Sequence, residues 1–361
     1  MKNTILIKFV ISLTLIFSCI SNVMAWHGPK SEAEKVYIRQ ALLGDLSNIQ
    51  AIISGLDGAE KVIKKFNLKF TDNQHGIALE EIKEPLVKNI MKLYINYWQQ
   101  ALLAPAKLDQ LEKQLTDDMV KLVSESKKLK GKYDFESMQE PLISYIKSKG
   151  YGVLFGRTPP LSEFMLWKKN EDHDFKVELT DSTQSVRVTY IGDFVSNGWS
   201  YYATNGAAST GGWATNEQLY CVCEHYVKTS EMFLLSYLKH EGRHFADFKS
   251  YPNLKSASLE YRAKLTELSF ADNSSHGLLN KFDYAAVKNT KVGHSLANWH
   301  VVNNMKKELG WAEKNENEIE WGSATVKQIQ SAAQQLLKKS DQEILKQGAD
   351  KTENIIFPIT S

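Results

Sequence analysis

The sequence predicts an α+β protein, mostly helical, with a small mixed sheet and one long apolar helix between N- and C-terminal helical regions. Three observations carry this expectation. Apolar residues recur three or four positions apart over residues 31–149 and again beyond 276. Residues 151–226 lose that period, gain glycine, proline and aromatic residues, and contain segments that alternate in polarity. Residues 230–268 then return to helical spacing around His240-Glu241-Gly242-Arg243-His244. With 43% hydrophobic and 24% charged residues, the composition is that of an ordinary folded chain. A chain of 361 residues exceeds one ordinary core, and it divides into residues 1–25, 26–150, 151–275 and 276–361.

Residues 1–25 read as a secretory signal peptide. Lys2 and Lys8 precede an apolar run over 9–20, and Val23 and Ala25 stand at the two positions a signal peptidase reads. The run is short for a membrane span, so no stable span is expected after cleavage near Ala25, and the destination is secreted or periplasmic. Lipidation at Cys19 is the competing reading, which the bulky Phe17 opposes. Cleavage removes two lysines and no acid, so 44 basic against 42 acidic residues become 42 of each. A neutral chain has no basic balance to draw in nucleic acid.

Helical periodicity covers residues 32–54, 77–103, 107–125 and 135–149, with breaks at Gly55-Leu56-Asp57-Gly58, Pro105 and Lys130-Gly131-Lys132. Pro85 either kinks the second helix or marks its true first turn. Residues 175–179 and 185–191 alternate around Asp181-Ser182-Thr183 and read as a hairpin. Residues 204–213 are rich in small side chains and read as a loop, and 218–227 as a strand. Within that strand Cys221 and Cys223 share a face, either as a strained disulfide or as buried apolar thiols. Helical spacing resumes over 278–286, 296–307 and 324–347.

The chemistry gathers in the helix after Thr229 and Ser230, both good N-cap types. Met232, Phe233, Leu235, Tyr237 and Leu238 give it an apolar surface, and Pro252 closes it. Residues four apart lie one helical turn above each other, so His240 and His244 can converge on one ion. Glu241 then borders the ion's open position. A third ligand is expected from a second amphipathic helix, reached through Tyr251-Pro252-Asn253. Glu260 is the first acid that helix brings opposite His244. Glu267 is the alternative ligand, or a group that orients a histidine.

An H-E-x-x-H helix followed by a glutamate-bearing helix resembles the gluzincin class of zinc metallopeptidases, over about residues 170–279. The resemblance implies a zincin-like core, zinc held by His240, His244 and Glu260, Glu241 as general base, and a peptide or protein as substrate. It also implies a donor for the oxyanion, with His276, His294, His300, Tyr284 and Arg262 as candidates and His294 favoured by its place just before a helix. Lys264 departs from the thermolysin-like pattern, which has an acid four residues after the glutamate ligand. Asp247, one turn after His244, then becomes the candidate carboxylate for orienting a ligand from behind. The competing reading is a catalytically silent zinc-binding envelope or binding protein, suggested by the large helical regions and the lack of a clear oxyanion donor.

Overall fold

Local signals set the helix boundaries, and the computed structural model describes residues 31–72, 74–288, 292–311 and 320–348. The signal-peptide reading and Cys19 lie outside these residues. Ser31 opens α1 (Glu32–Leu42) with a capping box, its hydroxyl accepting from the Glu34 N–H while the Glu34 carboxylate accepts from the Ser31 N–H. The helix expected over 32–54 is two: Gly44, at φ 77°, ends the first, and α2 (Ile49–Ile53) follows. A further helix, α3 (Ala59–Phe70), was not marked by the periodicity. Pro85 is the first residue of α4 (Pro85–Leu103), which settles the choice between kink and first turn. Next come α5 (Leu108–Ser126) and α6 (Phe135–Ser148).

The sheet is mixed and five-stranded, in the order β1-β2-β3-β5-β4. β1 (Gly152–Thr158), β2 (Leu161–Glu178) and β3 (Thr183–Asn197) form an antiparallel meander. The hairpin expected at 175–191 is the distal end of this much longer β2–β3 ribbon. A short helix, α7 (Gly198–Ala203), and an irregular segment lead to β4 (Gly212–Ala214) at the far edge. β5 (Leu219–Val222) then runs parallel to β3 and antiparallel to β4. The strand expected over 218–227 stops at Val222, where Cys223 enters a 3-10 turn.

The long helix starts as α8 (Glu231–Phe233), with Ser230 Oγ accepting from the Phe233 N–H. It widens into a π-helical stretch, Leu234–Lys239, and continues as α9 (His240–Ser250). The remaining helices are α10 (Ser256–Phe270), α11 (Ser275–Tyr284), α12 (Gly293–Glu308) and α13 (Val326–Gln347). Every residue of α10 from Ser258 to Ser269 is buried, so it is not the amphipathic helix the sequence suggested. It packs against α9, α12 and α13, which leaves no face for solvent.

Three apolar clusters fix these layers. The N-terminal helices share a core with Val153, Phe155, Phe164 and Trp199 of the sheet region. Val177, Val186, Val188 and Leu219 pack with Phe233, Tyr237 and Phe245, which seats the long helix on the sheet. α10 to α13 close around Leu265, Leu279, Val301 and Leu336. Gly242 stands at a close approach of α9 to the sheet: a Cβ there would lie 2.8 Å from Val177 Cγ1. Gly242→Ala gains about 1 kcal/mol of helix propensity but incurs roughly 1–3 kcal/mol of overpacking. A net loss of about 1 kcal/mol is therefore expected in denaturant unfolding. In a Val177→Ala background the same change is expected to stabilise. If the sign does not reverse, the contact with Val177 is not what selects glycine.

Candidate metal centre

One helical turn brings the two imidazoles together: His240 Nε2 and His244 Nε2 lie 3.1 Å apart. The turn Tyr251 to Lys255 sends the chain back along α9, so His244 faces Glu260, Arg243 faces Thr266 and His240 faces Glu267. As one number rises the other falls, which makes α9 and α10 antiparallel. Glu260 Oε1 is 3.2 Å from His244 Nε2, and Oε2 is 3.5 Å from His240 Nε2. An ion bound tetrahedrally at roughly 2.0–2.1 Å has ligand atoms about 3.3–3.4 Å from one another. The histidine pair and the nearest Glu260 oxygen of each histidine lie close to that value, the two oxygens each facing one ring, and one ligand atom from each residue lies within 4.8 Å of the others. His240, His244 and Glu260 are fully buried, their donor atoms converge, and the group could hold a metal ion.

The choice between Glu260 and Glu267 has a geometric answer. Glu260 meets the ring nitrogens that face the centre, whereas Glu267 Oε1 lies 2.7 Å from His240 Nδ1 on the opposite side of that ring. With the proton on Nδ1 donated to Glu267, the Nε2 lone pair points to the centre. Glu267 Oε2 accepts in turn from Ser236 Oγ at 2.5 Å. Ser236 belongs to the π-helical stretch, a widened turn of the kind often found beside functional residues.

Asp247 does not orient a histidine. Its carboxylate accepts from Arg262 Nε at 2.7 Å and Arg262 Nη2 at 3.1 Å, with Arg243 Nη1 at 3.4 Å. Glu267 occupies the orienting position instead, because it lies on the helix opposite His240 while Asp247 lies a turn past His244, against the arginines. Arg243 reaches Asp181 at the β2–β3 tip, and Arg262 reaches Ser340 and Asp341 on α13. Arg262 is thereby placed in an ion chain with Asp247 and Asp341.

Glu241 is fully buried, and neither carboxylate oxygen has a hydrogen-bond partner. Burial pushes its pKa up to about 7 against the pull of His244 and His240. Glu260 differs: burial alone would raise it, but His294 and His240 hold it well below the ordinary carboxylate range. His294 enters from the first turn of α12, with Nδ1 2.8 Å from Glu260 Oε2. It touches the expected ligand itself. His276 Nε2 is 2.8 Å from the Ala324 carbonyl, Tyr284 is 82% exposed, and His300 is half-buried on α12. Cys221 and Cys223 are not joined in a disulfide, and the 3-10 turn brings their sulfurs to 3.3 Å.

No known protein family, curated protein or solved structure matches this chain. The centre is read from its own geometry.

Proposed function

We propose that the chain is an exported zinc-dependent metallopeptidase of gluzincin type, with a zincin-like core formed by the sheet, α9 and α10. The observation that supports this most directly is Glu241. A carboxylate buried without partners costs free energy that a purely structural site has no reason to carry. Such local violations gather where chemistry is done. Two imidazoles and a carboxylate suit several ions, and zinc is the one whose catalytic sites use three protein ligands and keep a fourth position open.

Bound there, zinc would supply Lewis-acid activation of a water and of a peptide carbonyl. His240, held at Nδ1 by Glu267, presents Nε2 in a fixed direction, and His244 and Glu260 complete the set. Glu241 takes the proton of the attacking water and delivers it to the leaving amine. The export reading comes from residues 1–25. Among the described residues, no helix is long and apolar enough to cross a membrane.

The test is zinc content of the purified chain by elemental analysis, wild type beside Glu260→Ala, with a peptide-library assay run with and without chelator. One zinc per wild-type chain, absent in Glu260→Ala, together with chelator-sensitive cleavage is the expected result. No metal after zinc is supplied would end the proposal.

One observation favours a second reading, a zinc-binding protein without turnover. His240 is 1% exposed, and Glu241, His244 and Glu260 are 0% exposed, so a substrate reaches them only if the chain opens. Zinc bound at such depth with no cleavage of any library peptide would establish that reading. Under either reading, zinc loss to excess chelator is expected to plateau at a rate set by opening. A rate that rises in proportion to chelator throughout would show that the centre is open to solvent.

A further inference from the structure

The two oxygens of Glu260 have different surroundings. Oε1 faces His244 Nε2 at 3.2 Å. Oε2 lies 2.8 Å from His294 Nδ1, 3.5 Å from His240 Nε2 and 3.9 Å from Lys264 Nζ. Both extra groups are buried: His294 is 5% exposed and Lys264 is 6% exposed. Lys264 follows Glu260 by one turn of α10, and its ammonium sits 4.8 Å over the Phe282 ring. Neither ring nitrogen of His294 has an aligned hydrogen-bond partner. The proposed reaction uses neither residue.

A ligating carboxylate in a dry site needs its outer oxygen held, because an unheld one is both costly and free to swing. His294 meets Oε2 of Glu260 and is not one of the convergent group of His240, His244 and Glu260. We infer that His294 and Lys264 are positioning residues for Glu260: they hold Oε2 and so fix the carboxylate against the histidine pair. The inference rests on the metal-centre part of the proposed function and is indifferent to whether a peptide is cleaved. It also gives the lysine that departs from the thermolysin-like pattern a task, as a fixed cation beside two buried glutamates, Glu260 and Glu267.

The experiment measures zinc affinity by competition with a chromophoric chelator, using the full chain as wild type, His294→Leu, His294→Asn and Lys264→Met. Loss of an outer-shell partner typically weakens metal binding about 10–100-fold, and that range is expected for His294→Leu and for Lys264→Met. His294→Asn offers an amide N–H near the place of Nδ1 and is expected to recover most of the loss. The metal-free His294 variants are expected to melt no lower than metal-free wild type, which separates positioning from folding. The visible spectrum of the cobalt(II)-loaded protein is expected to be unchanged in His294→Asn. A changed coordination spectrum there would make His294 a ligand and overturn the inference. So would zinc affinity within twofold of wild type in His294→Leu. A wild type that binds no zinc would remove the centre itself, a different and earlier failure.

Discussion

The Glu241→Gln variant is expected to keep one zinc per chain and to lose about 10²–10⁴-fold in kcat/KM toward peptides. That loss corresponds to roughly 3–5 kcal/mol of transition-state stabilisation. Glutamine has nearly the same shape, so the site keeps its packing while the proposed proton acceptor disappears. Glu241 makes no hydrogen bond through its carboxylate, so the contacts among Glu260, Glu267, His240 and His244 are left in place. The variant should therefore be no less stable than wild type, because an unpartnered buried acid is replaced by a neutral amide. Elemental analysis, thermal unfolding and library cleavage measured together check all three parts. Full chelator-sensitive activity in Glu241→Gln would sink the mechanism. Loss of zinc would instead assign Glu241 to holding the site together.

What the sequence made legible here was local. The four-residue spacing of His240 and His244 and the Ser230 cap are short-range facts, and the helix they describe is the one observed. The return of Glu260 onto the histidines was legible as well, because only a short turn separates α9 from α10. The π-helical stretch at Leu234–Lys239 was not, since a widened turn leaves no signature in residue type. The length of β2 and β3 was missed for a related reason. From Leu161 to Trp167, β2 is buried at almost every position, and a strand covered on both faces shows no alternation. Asp247 misled because its nearest neighbours in the chain are the histidines, while its partner Arg262 comes from the next helix. The outer end of that ion chain comes from Asp341 on α13, some eighty residues further on. No local pattern predicts such a meeting.

Asp247→Ala is expected to be the most destabilising single change outside the ligands, at about 3–5 kcal/mol. The carboxylate lies between two arginines in a chain that runs Asp181, Arg243, Asp247, Arg262, Asp341. The side chains of Arg243, Asp247 and Arg262 are 3%, 1% and 1% exposed, while Asp181 and Asp341 at the ends are 42% and 30% exposed. Removing the central acid leaves two guanidinium groups buried with only neutral hydroxyl partners, Thr266 and Ser340, beside them and their remaining carboxylates at the solvent-facing ends. Removing both central charges avoids that penalty, so Asp247→Leu with Arg262→Met is expected to cost far less than Asp247→Ala. Urea unfolding of the single and double variants measures the difference. The chain joins the β2–β3 tip to α9 and α9 to α13, so its loss should also loosen the helix that carries both histidines. A drop in zinc affinity of about tenfold or more is expected in Asp247→Ala and is expected to be largely restored in the double variant. If the single variant unfolds within 1 kcal/mol of wild type, water reaches the arginines readily. The rigidity of α9 must then come from its apolar seat on the sheet alone.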